Sequence, residues 1–120
     1  MPSTVHALKT WPIPFQAIWA GHKLYELRRD DRGYHVGDQL KLLEWVPVHT
    51  GSCDWVSDHC VKCNRKSEDP LEGTYTNRHI SAEISYITRA GEFPGLEEGF
   101  LVLGICVLER VSPLGQIVGV

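Results

Sequence analysis

No stretch of this 120-residue chain approaches the roughly 18 consecutive apolar residues that a membrane helix needs, which argues against a helical span. The first residues lack the basic-then-apolar layout of a secretion signal, and no asparagine sits in a glycosylation sequon. Both absences lead us to expect an intracellular, cytoplasmic protein. Basic residues are not in excess either: 12 Lys and Arg against 15 Asp and Glu give a formal charge of −3. A non-specific binder of long nucleic acid carries a plainly basic face, so that class is disfavoured. A small cleft holding one nucleotide through a few local cations is still allowed. There is one methionine, no internal repeat and no low-complexity tract. Four cysteines are enough for two disulfides, but in a reducing compartment they are expected as free thiols or metal ligands. The length suits a single domain spanning residues 1–120.

Hydrophobic periodicity divides the chain into elements. Val5 to Lys9 reads as a short strand, and Pro12 and Pro14 open a helix over Phe15 to Ala20 that Gly21 stops. Phe15, Ile18 and Trp19 share its core-facing side. A second strand runs from Lys23 to about Arg29, and a third from Gln39 to Trp45 after two glycine turns. Residues 47–77 show no periodicity and are read as a long inserted loop. Ile80, Ala82, Ile84 and Tyr86 then alternate with polar residues as a half-buried strand. Phe100 to Leu108 is apolar enough for a central strand buried on both faces, and the tail from Ser112 is an edge strand or a frayed end. Five to six strands with one early helix predict an α+β fold, mainly β: a small, partly open barrel carrying a Cys-rich insert.

The chemistry concentrates in Gly21-His22-Lys23-Leu24-Tyr25-Glu26-Leu27-Arg28 and the following Arg29-Asp30-Asp31-Arg32, where seven of twelve residues are charged. Charges in a strand are costly to bury unless they pair or meet a ligand. On a regular strand Glu26 and Arg28 share one face, with Cα atoms roughly 7 Å apart. Lys23, Tyr25, Leu27 and Arg29 would share the other, unless the strand becomes regular only after Lys23. In the binding reading Glu26 accepts from a base edge, Lys23 and Arg28 meet phosphate or carbonyl, and Trp11, Tyr25 or Tyr34 stacks on a base. In the catalytic reading Lys23 is nucleophile or base, Glu26 shuttles a proton and Arg28 stabilises an oxyanion. The plain structural alternative is an exposed Glu26–Arg28 pair. His6 and Lys9 fall on opposite faces of the first strand, and His6 serves equally as a packed histidine or a cleft residue. The charges of residues 29–32 are expected to pair within their own turn.

The insert holds His49, Cys53, Cys60 and Cys63. A Cys-x2-Cys pair grips one metal from a tight turn, so a structural zinc with these four ligands is expected, His49 being preferred over His59. Unligated thiols and a disulfide are the alternatives. Cys106, inside the apolar strand, is expected to be a small buried hydrophobe.

Gly21, Lys23, Glu26 and Arg28 match the G-x-K-x-x-E-x-R signature of ASCH domains. The likeness extends through His6-Ala7-Leu8-Lys9-Thr10-Trp11-Pro12, Asp31-Arg32, Val36-Gly37-Asp38, Glu44-Trp45 and Gly95 to Phe100. The chain thus resembles an ASCH-related family of bacteria and phages. The resemblance implies a PUA-like β-barrel that binds RNA, single-stranded nucleic acid or a modified nucleotide beside the helix and charged strand. One bacterial branch hydrolyses acetylcytidine with a lysine, a threonine and a glutamate. This chain keeps the lysine as Lys23, has Glu26 in place of the threonine, and offers Glu97 as a candidate for the glutamate. Three functions follow: a nucleotide-binding module, an amidohydrolase of acylated nucleosides, and a protein-interaction module built on a zinc-ordered insert.

Overall fold

The computed structural model describes residues 3–47, 55–56, 59–60, 73–92 and 94–119. Its elements are β1 (Val5–Thr10), α1 (Pro12–Trp19), β2 (Tyr25–Arg29), β3 (Gln39–Pro47), β4 (Trp55–Val56), β5 (His59–Cys60), β6 (Gly73–Arg89), β7 (Phe100–Val111) and β8 (Ile117–Gly119). The protein is mainly β with one short helix, as expected of an α+β chain. Six strands form one sheet in the order β1-β3-β6-β7-β2, with β8 also paired to β7. Strands β1 and β3 are parallel and the other pairs antiparallel. The sheet does not close: β1 lies at one edge, and β2 and β8 lie beside β7 at the other.

The core lies on one side of this sheet, beneath α1. Alternation puts His6, Leu8 and Thr10 inward from β1, and Leu40 and Leu42 inward from β3. Ile80, Ala82 and Ile84 of β6 and Leu101, Leu103 and Ile105 of β7 complete the layer. Phe15 and Ile18 of α1 cover it, one helical turn apart, with Trp19 packed at the margin. Each such side chain contributes roughly 1.5–3 kcal/mol by leaving water. The helix begins at Pro12, three residues before the expected start, because proline is well tolerated in a first turn whose N–H groups lack helical partners.

Bulges account for most other departures from simple alternation. Between the pairs Leu43↔His79 and Trp45↔Tyr75, β6 spends Thr76, Asn77 and Arg78 against Glu44 alone. Asn77 takes a left-handed φ of 68° to do so. Strand β6 therefore starts at Gly73 and not near Ile80, so the insert is shorter at its C-terminal end than the sequence predicts. Gly73 lies so close to the Trp45 ring that a Cβ would sit 2.3 Å from it. A second bulge after Ile84 turns Tyr86 outward, against the expectation that it would join Ile80, Ala82 and Ile84 inside. Strand β7 is buried on one face only, and Cys106 is exposed, not buried. The tail forms the edge strand β8.

Two buried carboxylates anchor the elements. Glu44 accepts from Arg78 Nη2 at 2.8 Å and from Thr76 Oγ1 at 2.8 Å, while Arg78 also donates to Gln16 Oε1 at 3.0 Å and lies over the Phe15 and Trp19 rings. This cluster docks α1 on the sheet. Asp38 accepts from the Thr4 and His35 backbone N–H groups and from His6 Nε2 at 2.9 Å, fixing the entry to β3.

Candidate nucleotide-binding cleft

Since β1 and β2 never pair, a seam runs between them, and side chains bridge it. Arg28 Nη2 donates to the Lys9 carbonyl at 3.1 Å and to Thr10 Oγ1 at 3.2 Å. Arg32 Nη1 donates to the Ala7 carbonyl at 3.1 Å. These bonds satisfy edge carbonyls that a closed barrel would pair by backbone. Above them opens a cleft of about 270 Å³. Its walls come from Leu8 to Trp11 and Pro14 on one side, and from Lys23, Glu26 to Arg29, Asp31, Arg32, Tyr34 and Phe100 on the other.

The helix stop places Lys23. Gly21, at φ 82°, donates its N–H to Ile18 O, and His22 donates to Ala17 O, a Schellman closure that reverses the chain. Lys23 follows this turn, and β2 becomes regular only at Tyr25. The lysine is thus free of strand alternation and reaches Glu26 Oε1 at 3.2 Å. The regular strand places Glu26 and Arg28 on one face, with Arg28 Nε 2.9 Å from Glu26 Oε2. Glu26 is 3 % exposed, so the exposed-pair alternative does not hold. A buried carboxylate with one cation on each oxygen is a compensated charge that keeps spare lone pairs toward the cleft.

The cleft gathers five cationic side chains, Lys9, Lys23, Arg28, Arg29 and Arg32, against the carboxylates of Glu26 and Asp31. An acidic chain therefore carries a locally cationic site. Trp11 forms part of its wall, 9 % exposed, with its ring centroid 6.3 Å from that of Trp45. Lys9 holds its ammonium over the Trp45 ring at 4.2 Å. Of the anticipated site residues, Lys9, Trp11, Lys23, Glu26, Arg28 and Tyr34 meet here.

His6 and Tyr25 do not. His6 faces the core on the inward side it shares with Leu8 and Thr10, bonded to Asp38 and against the Tyr34 ring. Tyr25 is 50 % exposed on the outer face, opposite Glu26, with the Lys23 ammonium 5.1 Å from its ring. Tyr34 lines the cleft floor but is buried, so it presents no open face for stacking. Burial raises its phenol pKa, and the fields of Arg28 and Arg32 oppose that shift. Glu97 is exposed and outside the cleft. Two of the charges of residues 29–32 reach beyond their turn: Asp30 meets Arg89 of β6 at 2.9 Å, and Arg32 crosses the seam. Thr10, Arg29, Asp31 and Arg32 are cleft residues that sequence reasoning did not assign. The clue available was that Thr10 shares the inward face of Leu8.

Of the expected zinc ligands, His49, Cys53 and Cys63 lie outside the described residues, and Cys60 is described only as backbone in β5. Among the described residues no cluster of three His, Cys, Asp or Glu side chains suits a metal. No helix among them is long and apolar enough to cross a membrane.

A search of curated proteins finds no match to the chain. The family model described as a domain of unknown function, DUF3850, matches residues 5–105, a span holding every lining residue of the cleft, and the chain belongs to that family.

Proposed function

We propose that this chain is an ASCH-like, PUA-like module that binds RNA or a modified nucleotide in the seam between β1 and β2. One observation carries the reading: Lys23, Glu26 and Arg28, three residues of the short signature, converge on one cationic cleft with the carboxylate held between the two cations. The cleft stands at the small end of ligand sites, a scale that suits one nucleotide or a single-stranded end and not a duplex. Glu26 offers acceptor lone pairs to a base edge, Trp11 an aromatic wall, and Lys9 and Arg32 positive charge for phosphate at the rim.

Titration of the four mononucleotides and short single-stranded RNA against wild type, Lys23→Ala and Arg28→Lys tests this directly. Binding by wild type that falls at least tenfold in the folded variants supports the proposal. Equal affinity in all three proteins ends it.

The 3.2 Å contact between Lys23 Nζ and Glu26 Oε1 favours a second reading, hydrolysis of an acylated nucleoside. Acetylcytidine incubated with the protein and followed by chromatography decides it. Product no greater than that from Lys23→Ala removes the catalytic reading and leaves the binding one. The zinc reading is tested by metal analysis of protein prepared without chelator, before and after Cys60→Ser with Cys63→Ser, and the interaction-module reading by deletion of residues 49–75, which should abolish partner capture while the rest stays folded.

A further inference from the structure

Tyr34 lies between β2 and β3 with its ring in the core, 4.8 Å from the His6 ring centroid, and is 1 % exposed. Its backbone carbonyl accepts from Arg89 Nη2 at 3.2 Å. The side-chain hydroxyl has no hydrogen-bond partner among the described residues. Yet no fully buried side-chain nitrogen or oxygen among them lacks a partner. The two facts agree when the phenol oxygen is not fully enclosed, and the cleft that Tyr34 lines is the opening beside it. The charges that act on the phenol say the same, because Arg28, Arg32, Asp31 and Glu26 are all cleft residues.

Packing gives no reason for this oxygen. The contact with His6 needs only the ring, and a nearly buried hydroxyl without a partner is less favourable than a phenylalanine in the same place. The hydroxyl therefore points to a ligand. A phenol is protonated at neutral pH, so it can donate as well as accept. Glu26, with a Lys23 or Arg28 donor on each oxygen, is the acceptor of the site.

Resting on the nucleotide reading of the same cleft, we infer that Tyr34 is a binding residue that recognises the base edge. Its hydroxyl bonds an acceptor on the edge of a planar nitrogen heterocycle whose adjacent N–H is taken by Glu26. An N–H beside a ring nitrogen or carbonyl is the pattern on the pairing edge of each common nucleobase. An anionic group facing Glu26 would be repelled, so the phosphate lies toward Lys9 and Arg32. The site accordingly reads a base edge at its floor and a phosphate at its rim.

The experiment is calorimetric titration of CMP, UMP, AMP and GMP into wild type, Tyr34→Phe and Lys23→Ala, with the ligand-free Tm of each protein. Tyr34→Phe keeps the ring and removes one oxygen. The expected result is about a tenfold loss of affinity for the best-bound nucleotide, with a ligand-free Tm equal to or above wild type. Affinity unchanged in Tyr34→Phe but lost in Lys23→Ala overturns the inference and leaves the nucleotide reading standing. A fall of several degrees in the ligand-free Tm, or failure to fold, shows a structural hydroxyl and also overturns it. Absence of binding by wild type to all four overturns both.

Discussion

Replacing Arg28 by alanine tests whether the carboxylate at the cleft is held as a buried charge. The guanidinium gives Glu26 Oε2 a bond at 2.9 Å and carries two more bonds across the seam, to Lys9 O and Thr10 Oγ1. Breaking one partner of a buried pair costs about 3–5 kcal/mol, since the other charge stays desolvated. Here Lys23 still compensates Glu26, and the Arg28 side chain is itself 23 % exposed, so the lower end applies, about 3 kcal/mol. At about 4 °C per kcal/mol for a domain of this size, the Tm falls by roughly 12 °C. The exposed pair Arg89–Asp30, with side chains 44 % and 36 % exposed, is the control, and Arg89→Ala should cost no more than about 1 kcal/mol. Urea unfolding followed by circular dichroism measures both. A third variant sharpens the test: Glu26→Leu added to Arg28→Ala removes the stranded charge and should recover a large part of the loss. Equal costs for Arg28→Ala and Arg89→Ala, or no recovery in the double variant, would refute the buried clamp.

Other expectations follow from the same structure. The Asp38 carboxyl is held below the usual aspartate range, first by its bond from His6 and then by the Thr4 and His35 N–H groups, although burial opposes them. A depressed acid stabilises the fold above its unfolded pKa and loses that contribution as pH falls through the folded value. Acid unfolding of wild type should therefore draw on Asp38 below about pH 4, and Asp38→Asn should flatten the pH dependence of Tm there. At neutral pH the same variant weakens a buried cluster of three hydrogen bonds, at a cost on the order of 2 kcal/mol in urea unfolding. Cys106 is exposed on β7, so it should react with a thiol reagent in the folded protein. Peptide mass analysis locates the label, and protection of Cys106 until unfolding would contradict the strand's orientation.

How much of this was legible in the sequence depends on whether the cause is local. Alternation of His6, Leu8 and Thr10, and of Glu26 with Arg28, is written in the chain, because side chains on a strand change faces at every residue. The helix stop at Gly21 is equally local. The outward turn of Tyr86 was not legible, because it follows a register shift against Gly104 some eighteen residues away, and β pairing is set by the partner strand. Glu44 and Asp30 find Arg78 and Arg89, 34 and 59 residues on, through the order of the strands. The cleft has the same character. Its charged residues were visible in the sequence, but the seam that makes them a site exists only because β1 and β2 become opposite edges of one unclosed sheet.

The central claim is that a nucleotide occupies that seam. Amide and side-chain NMR spectra of the isotope-labelled protein, recorded during titration with each mononucleotide, test it most directly. A nucleotide in the seam should give saturable shifts centred on Thr10, Trp11, Lys23, Glu26, Arg28 and Tyr34, with the outer face around Tyr25 and Tyr86 unchanged. Spectra that do not move for any nucleotide, or that move only away from the cleft, would contradict it.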